Sequence, residues 1–524
     1  MTKIIKNRII FDHEDWLAGD DKFRPNSGVY DKIGNGIYSS SNVSTTRFLD
    51  YITAGYRRTA VDNADKIVAY LRKNVIYPNQ SNNCFAIENG AQIHYIDDFD
   101  SGDILDNTDF PKTVSGGNDL VLDDIEIYFS LSDDKVFYSY NDSIGWNVGI
   151  MAPTTPYTKD DDFLTTIPTN PLADNYLSDN NADYITSGKG YHHPLHRGMD
   201  DVLYIGSGRH LHAYDGKANV FYGAVLTLPK GYIITGICDD DNGYLHILSY
   251  YNVGSSSGDS GKVIDWYWNP NDLDPTQKYN LFDFVSGDIF QWNGTVACFT
   301  KGQTTGASSG YTKLQYLNPA SGQFEPLITM SGELPIRGGS QVNCKDIYFN
   351  SGGDIYLYSY INKLKSYNLC KIADIANGTS GMMSVIGSTA SILISSGAGE
   401  SGGLMNLAAF GAGSVYTKTV SIEFPTGQKA RIKSISVLFR NKVAGTSGLS
   451  FRVDTSLDGG SLVQATPEIS AITKLKYIYY KNNNGTALGD FNTLSLCLQW
   501  RESTGTSTAP IIDKIEVDFE PISL

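Results

Sequence analysis

The densest group of side chains that could do chemistry is a histidine-rich segment, HHPLHRGMDD, at residues 192–201. Imidazole and carboxylate groups are donors that zinc accepts, so the segment is a candidate metal site. Its candidate ligands are His192, His193, His196, Asp200 and Asp201. Pro194 breaks any helix that would place His192 and His196 on one face. We interpret the segment as the irregular lead into a strand at Val202, and we predict no metal ligand in it.

A second segment, GDSGK at residues 258–262, is similar in sequence to the nucleophile segment of trypsin-like serine proteases. That likeness would make Ser260 a nucleophile, which needs a histidine base held by a carboxylate. Position 262 is lysine in place of glycine, and no segment upstream resembles the one that carries the catalytic histidine in trypsin-like proteases. We interpret Ser260 as part of a solvent-exposed loop between strands.

The loop CDDDNG, residues 238–243, resembles the first half of a calcium loop. If Gly243 held the sixth position, the first would be Cys238, which is not an oxygen ligand, and no glutamate follows at the twelfth. We interpret the loop as a hairpin turn. Isolated calcium at Asp123–Asp124 or Asp160–Asp162 stays open as an alternative.

The acidic residues do not single out a catalytic pair. A glycosidase needs two carboxylates facing one pocket, and a chain with 57 acidic residues always offers a pair. The repeated SxDxGxxW box of sialidase-type propellers and a Gly-rich phosphate loop are both absent from the sequence. We therefore predict no catalytic residue, no cofactor-binding residue and no cofactor, and we expect a protein that is not an enzyme.

The elements that would position any site are short strands, and they are most regular at residues 200–251. Leu203–Ile205 form a β-rich run, Leu211–Tyr214 return from a glycine turn, and Asp215-Gly216 is a dipeptide that favours hairpin reversal. The pattern then restarts, with apolar residues alternating at the strand period. A unit of about 40–50 residues with four short strands has the size of one β-propeller blade.

Similar units repeat along the middle of the chain. They predict an all-β fold in which residues 66–410 form a six- or seven-bladed β-propeller with inserted loops. Residues 153–190 are predicted to be a long polar insertion, and loops of that length usually carry function or contact a partner. We interpret the tyrosines as packing between blades, although exposed ones could instead line a sugar-binding groove.

The two ends of the chain differ from this middle part. Residues 1–65 are predicted to be an extended N-terminal arm that lies on the propeller or on a neighbouring subunit. Residues 411–524 follow a glycine-rich joint and alternate like the strands of an antiparallel β-sandwich. The final strand, residues 511–522, is predicted to be an edge or closing strand.

Composition limits the classes of partner. The net charge of −16 excludes binding of a nucleic-acid backbone by bulk electrostatics, which needs clustered lysine and arginine. The six cysteines have no CxxC pair, and we interpret them as free thiols in or near the core. No apolar run reaches the length of a membrane span, and the N-terminus lacks a signal-peptide core. We expect synthesis and assembly in a cytoplasm.

Six segments of the chain resemble the propeller proteins of tailed-phage virions. These are LHRGMDDVLYIGSGRHLHAYDG at 195–216, AVLTLPKGYIITGICDDDNGYLHIL at 224–248, GKVIDWYWNPNDLD at 261–274, IKSISVLFRN at 432–441, SFRVDTSLDGG at 450–460 and IDKIEVDFEP at 512–521. The resemblance covers residues 195–524. It implies a structural tail protein of the nozzle, baseplate or fibre-attachment region, located in the virion, and it carries no catalytic residue to this chain.

The expected partners follow from this resemblance: other virion tail proteins and copies of the same chain, with a host surface glycan as a further candidate. Two alternatives to the structural role stay open. One is a receptor-recognition protein that binds a cell-surface glycan, which predicts aromatic side chains exposed on one propeller face. The other is a polysaccharide-degrading enzyme, which needs a deep acidic pocket on the ring axis.

Overall fold

The fold is taken from a computed structural model of the chain. It describes residues 3–5, 7–11, 39–41, 43–44, 52–54, 56–60, 71–76, 84–88, 91–98, 103–104, 108–115, 120–128, 134–141, 146–163, 193–251, 262–302, 311–335, 338, 340–343, 345–351, 354–361, 366–373, 383–386, 391–394, 403–410, 413–417, 419–422, 424, 427–444, 450–501 and 510–523. Every named element in these residues is a β-strand, which confirms the predicted all-β class.

The first six strands precede the repeating part of the chain. They are β1 (Lys3–Ile5), β2 (Arg8–Phe11), β3 (Ser39–Ser41), β4 (Val43–Ser44), β5 (Ile52–Ala54) and β6 (Tyr56–Ala60).

Three antiparallel sheets follow. Sheet 1 contains β7 (Leu71–Ile76), β8 (Cys84–Glu88), β9 (Gln92–Asp98), β10 (Asp103–Ile104) and β11 (Lys112–Thr113). Sheet 2 contains β12 (Val121–Tyr128), β13 (Lys135–Asn141), β14 (Trp146–Met151) and β15 (Lys159–Asp160). Sheet 3 contains β16 (Leu195–Arg197), β17 (Val202–Ser207), β18 (His210–Asp215) and β19 (Val220–Thr227).

Four more antiparallel sheets of four strands each follow. Sheet 4 contains β20 (Tyr232–Asp239), β21 (Leu245–Tyr251), β22 (Val263–Trp268) and β23 (Gln277–Asn280). Sheet 5 contains β24 (Val285–Trp292), β25 (Thr295–Gly302), β26 (Tyr311–Asn318) and β27 (Gln323–Ser331). Sheet 6 contains β28 (Ser340–Asn343), β29 (Asp346–Ser351), β30 (Asp354–Ile361) and β31 (Ser366–Ala373). Sheet 7 contains β32 (Met383–Ile386), β33 (Ser391–Ile394), β34 (Gly403–Phe410) and the N-terminal strand β6.

The remaining strands are β35 (Gly413–Tyr416), β36 (Val420–Ser421), β37 (Gln428–Phe439), β38 (Ser450–Leu457), β39 (Val463–Gln464), β40 (Lys476–Tyr479), β41 (Asp490–Phe491), β42 (Thr493–Arg501) and β43 (Ile511–Ser523). Sheet 8 contains β1, β2, β4, β5, β37, β40, β41 and β43. Sheet 9 contains β3, β35, β36, β38, β39 and β42.

Sheets 1 to 7 follow one another in a circuit. The first strand of each sheet from 2 to 7 contacts the first strand of the sheet before it, and β32 also contacts β7 of sheet 1. The arrangement is propeller-like. The hairpins predicted at residues 200–251 are confirmed, since β17 pairs with β18, β18 pairs with β19 and β20 pairs with β21.

The apolar cores lie between consecutive sheets, and β13 shows why. Its side chains alternate at the strand period, so Val136, Tyr138 and Tyr140 pack with residues of sheet 1. Phe137 points the other way and packs with Tyr214 of sheet 3. A strand covered on both faces needs large apolar residues at successive positions, which is the composition of β13.

The predicted N-terminal arm, residues 1–65, lies mainly outside the described residues, but its described strands pair within the same chain. β2 pairs with β43 in sheet 8, β3 pairs with β35 in sheet 9, and β6 pairs with β34 in sheet 7. Residues 511–522 were predicted to be an edge or a closing strand; the edge position is excluded, because β43 lies between β2 and β37. The cause is the N-terminal hairpin, which covers that edge.

Sheets 8 and 9 share one apolar core. Ile435 and Ile515 of sheet 8 belong to the same cluster of buried side chains as Phe451 and Leu496 of sheet 9. Phe11 of β2 is also buried in this cluster. The N-terminal strand therefore contributes to a core built mostly from the last hundred residues.

Candidate functional site

The histidine-rich segment is divided among separate contacts and does not form one cluster. His192 lies outside the described residues, His193 is buried beside Asp123, and His196 Nε2 lies 3.2 Å from Asp239 Oδ1. Asp200 accepts a hydrogen bond from the Tyr204 hydroxyl at 2.6 Å. Within the described ranges, no set of three or more His, Cys, Asp or Glu side chains is placed to hold a metal ion.

Part of this segment is more regular than predicted. Leu195–Arg197 form β16, the first strand of sheet 3, and pair with β17. The interpretation as an irregular lead into the strand at Val202 therefore needs correction. The sequence signal was weak because the strand has only three residues and contains a histidine and an arginine.

His193 forms a buried polar contact between sheets 2 and 3. Its Nδ1 donates to Asp123 Oδ2 at 2.7 Å, and Asn141 Nδ2 donates to the same oxygen at 2.5 Å. Trp146 stacks on the imidazole with ring centroids 4.7 Å apart, and Ser139 Oγ donates to the His193 carbonyl oxygen at 2.6 Å. His193 is 1% exposed, so solvent does not reach this pair, and its geometry serves to anchor the chain.

β13 holds both ends of the segment that joins sheets 2 and 3. On one face, the Tyr138 hydroxyl donates to Asp161 Oδ1 at 2.5 Å, and the Tyr140 hydroxyl donates to the Asp161 carbonyl oxygen at 2.9 Å. On the opposite face, Ser139 and Asn141 contact His193. Burial and the neighbouring Asp161 raise the pKa of the Tyr138 hydroxyl, which keeps it protonated as a donor.

The predicted insertion, residues 153–190, therefore begins later than expected. Lys159–Asp160 form β15 and pair with β14, so residues up to about this point complete sheet 2. Phe163 packs on Phe137 and on Tyr214 of sheet 3, with ring centroids 5.7 and 5.3 Å apart. Residues 164–190, the rest of the predicted insertion, lie outside the described residues.

Carboxylates in the first strands also connect consecutive sheets. Asp124 Oδ2 accepts a hydrogen bond at 2.8 Å from the backbone N–H of Leu195, which is in the first strand of sheet 3. Asp288 Oδ2 accepts one at 2.6 Å from Ser340 Oγ in the first strand of sheet 6. Both carboxylates lie at irregularities in strand pairing, between Leu122 and Asp124 and between Ser286 and Ile289. A β-bulge redirects a side chain, which here brings it to the next sheet.

Sheets 4 and 5 enclose a further polar group. Asp283 is buried and accepts hydrogen bonds from Thr300 Oγ1 at 2.6 Å, Lys313 Nζ at 2.6 Å and Gln315 Nε2 at 2.8 Å. Burial raises the pKa of the nearby Cys298 thiol, and the carboxylates of Asp265 and Asp283 add to this effect. This buried thiol is protonated and is not a nucleophile.

Four cysteines of the described residues, Cys84, Cys238, Cys298 and Cys497, are buried and form no disulfide bond. For these residues the predicted position in the core is confirmed. Cys344 lies outside the described residues.

The loop at residues 238–243 is a turn between β20 and β21, as predicted. Asp240 Oδ1 accepts hydrogen bonds from the backbone N–H groups of Asn242 at 2.8 Å and Tyr244 at 3.0 Å. The Tyr267 hydroxyl donates to Asp240 Oδ2 at 3.0 Å. These donors organise the carboxylate within the turn. Ser260, the other sequence candidate, lies outside the described residues.

The arrangement of sheets defines an all-β, propeller-like protein. Among solved structures, YCF48 from Cyanidioschyzon merolae is similar at 9% identity over 67% of this chain and 99% of that chain, with a TM-score of 0.39. The Dos1 propeller is similar at 8% identity over 76% and 90%, with a TM-score of 0.37. The PQQ-bound aldose sugar dehydrogenase from Streptomyces coelicolor is similar at 12% identity over 67% and 96%, with a TM-score of 0.35.

One of these three proteins is a dehydrogenase and another is a propeller, and at TM-scores below 0.5 they support no conclusion about activity. No family model and no curated protein matches the chain. In the part of the chain that the structure describes, no helix is long and apolar enough to cross a membrane.

Proposed function

We propose that the protein is a rigid structural and interaction protein. In this proposal sheets 1 to 7 are the blades of a seven-bladed β-propeller, and sheets 8 and 9 form a C-terminal β-sandwich. The contact between β32 and β7 supports a closed ring, and β6 would supply the outer strand of the last blade. The shared core of sheets 8 and 9 supports the sandwich.

The observation that carries the structural role is the use of buried polar side chains as connections between sheets. Asp123 with His193, Asp124 with Leu195, and Asp288 with Ser340 each join two consecutive sheets. A buried carboxylate is costly unless it is hydrogen-bonded, so these groups favour one arrangement of the sheets over others. A body with one fixed arrangement of sheets presents its loops at fixed positions, which is what a scaffold requires.

The N-terminal segment supports the same role. Its strands enter sheet 8, sheet 9 and sheet 7 in turn, so one stretch of chain ties the C-terminal part to the last sheet of the circuit. Arg8 donates to Asp518 at 2.5 Å and lowers the pKa of that carboxyl, which keeps the pair charged near neutral pH. We assign no reaction and no cofactor to this architecture.

The proposal places the protein in the tail of a tailed-phage virion, as a nozzle, baseplate or fibre-attachment component. Two observations support it. One is the sequence resemblance over residues 195–524, and the other is that buried hydrogen bonds and the N-terminal strands connect the sheets to one another. Its partners would be other virion tail proteins and copies of the same chain, assembled in the host cytoplasm.

Quantitative mass spectrometry of purified particles tests this placement. We expect the chain at a constant ratio to the other tail proteins, in particles washed at high salt and banded in a density gradient. A ratio that falls with each purification step, with the chain recovered from the soluble lysate, would contradict the proposal. Deleting the gene should yield particles that lack a tail feature, and supplying the wild-type chain should restore it.

A further inference from the structure

Asn293 and Gly294 form the two-residue turn between β24 and β25. Trp292 pairs with Thr295 on either side of the turn, and both turn residues have positive φ, 53° for Asn293 and 76° for Gly294. Asparagine followed by glycine is a preferred sequence for such a turn, because both residues tolerate this backbone conformation. Both are exposed to solvent. The pair is also chemically reactive, since glycine has no side chain to shield its backbone nitrogen.

An asparagine followed by glycine can modify itself in water without an enzyme. The glycine nitrogen loses its proton to solvent and forms a bond to Cγ of the asparagine side chain. Cγ then releases its amide nitrogen as ammonia, which leaves a five-membered succinimide ring. Water adds to one of the two ring carbonyl carbons and breaks the bond from that carbon to the ring nitrogen. The product is aspartate or isoaspartate, and nothing is oxidised or reduced.

The turn at Asn293 meets the requirements of this reaction. Among the described residues, neither the Gly294 N–H nor the Asn293 side chain has a hydrogen-bond partner. Rotation about the Cα–C bond of Asn293 brings the glycine nitrogen to Cγ, and no such hydrogen bond opposes it. Apart from chain neighbours, Asp241 Oδ2 is the one described atom within 4 Å of the point where a Cβ on Gly294 would lie. Space is therefore available for the ring and for water.

Two other Asn-Gly pairs of the described residues lack this freedom. In the pair Asn242-Gly243, the glycine N–H donates to the Asp240 carbonyl oxygen at 3.1 Å, and the asparagine Nδ2 donates to Asp240 Oδ2 at 3.2 Å. In the pair Asn484-Gly485, the glycine N–H donates to the Asn482 carbonyl oxygen at 3.0 Å. These hydrogen bonds must break before the glycine nitrogen can attack. The dipeptide is the same at three sites, but its hydrogen bonding is not.

We propose that Asn293 is a site of spontaneous conversion to aspartate and isoaspartate, and that the conversion weakens a contact between sheets 4 and 5. Asp241, in the turn between β20 and β21 of sheet 4, accepts a hydrogen bond at 2.5 Å from Gln291 Nε2 of β24. Conversion places a second carboxylate in the turn beside Asp241, and neighbouring carboxylates repel each other. Isoaspartate also adds a methylene to the backbone, which a two-residue turn cannot absorb without shifting the strands that it joins.

The test follows conversion in the full-length folded chain, incubated for several weeks in mildly alkaline buffer. Trypsin places the three asparagines in separate peptides, residues 279–301, 231–262 and 482–501. Mass spectrometry measures the change from amide to carboxyl in each peptide, and fragment spectra assign it to a residue. We expect Asn293 to convert at least about fivefold faster than Asn242 or Asn484, because those two must first break hydrogen bonds.

Two controls separate the structure from the dipeptide. In concentrated urea the unfolded chain has none of these hydrogen bonds, so the three rates should converge. Asn293→Gly removes the reactive side chain and keeps a turn sequence that accepts positive φ at both positions. During incubation, the melting temperature of wild type should fall further than that of Asn293→Gly.

Equal rates at the three asparagines of the folded chain, or a slower rate at Asn293, would overturn the assignment of the site. A melting temperature that falls equally in wild type and Asn293→Gly would overturn the effect on the contact between sheets 4 and 5. Neither measurement involves particles, so neither depends on the proposed structural role.

Discussion

His193 Nδ1 lies 2.7 Å from Asp123 Oδ2, and both side chains are buried between sheets 2 and 3. The residues are 70 positions apart in the chain, and His193 is the first described residue after the segment 164–192. Their contact fixes the point where the chain re-enters the circuit of sheets. His193, a candidate metal ligand in the sequence, therefore anchors the chain between sheets 2 and 3.

Replacing Asp123 with alanine should destabilise the protein. The change leaves His193 and Asn141 with buried donors that have lost their acceptor, which costs about 1–3 kcal/mol. We expect a lower midpoint of the corresponding unfolding transition in urea. Asp274→Ala changes an exposed carboxylate and is the control; an equal shift in both variants would contradict the anchoring role.

Gly149→Ala should be more damaging than Tyr138→Phe. A Cβ at position 149 would overlap the ring of Tyr138, which lies directly opposite Gly149 on the neighbouring strand and is fully buried. Overpacking costs about 1–3 kcal/mol and occasionally more, and a Cβ only 2.2 Å from two ring carbons belongs at or above the upper end of that range. Tyr138→Phe removes one hydrogen bond, to the charged Asp161 side chain, which is worth about 1.5–3 kcal/mol. Thermal unfolding of the two variants would show whether the order is reversed, which would exclude close packing at Gly149.

Stability should fall as the solution is acidified below neutral pH, and His212 should account for part of the loss. Burial lowers the pKa of this imidazole to about 3, and the nearby His210 and His193 add to the shift. The unfolded chain takes up a proton there below about pH 6.5, whereas the folded chain stays neutral, so acid favours unfolding over this range.

His212→Gln removes that titration while keeping an acceptor for the Ala224 N–H, which now donates to His212 Nδ1 at 3.0 Å. The melting temperature of the variant should change less than that of wild type between about pH 7 and pH 5. An unchanged pH dependence in His212→Gln would assign the acid sensitivity to other groups.

Phe11→Ala should unfold the C-terminal sheets more easily. The ring is 2% exposed within the shared core of sheets 8 and 9, so its removal leaves a cavity and costs about 3–5 kcal/mol. Ile10→Ala, on the opposite face of the same strand, should cost less. Hydrogen exchange along β43 would report the difference. Equal protection in Phe11→Ala and wild type would mean that β2 contributes little to this core.

Some of the architecture follows from local sequence. Short apolar runs broken by Asp-Gly and glycine turns predicted the hairpins at residues 200–251, because strand period and turn chemistry depend on neighbouring residues. The Asp240 turn was recognisable for the same reason. The short strand β16 was missed, since three residues are too few to show a period.

The partners of distant strands could not be inferred in this way. The alternation of Ile512, Ile515 and Val517 predicted a strand in an edge or closing position, without naming its partners. This strand pairs with β37, with β5 and with the N-terminal β2, which is about five hundred residues away. Nothing local to either strand encodes that pairing, because any strand edge offers the same backbone donors and acceptors.

The sequence by itself determined the all-β class, the hairpins at residues 200–251, the core position of four cysteines and the absence of a recognised catalytic motif. Only the tertiary structure decided that His193 meets Asp123 and that Arg8 meets Asp518. The physical reason is that hydrogen bonding, burial and strain depend on which strands become adjacent. That adjacency is set by packing of the whole chain and not by residue type.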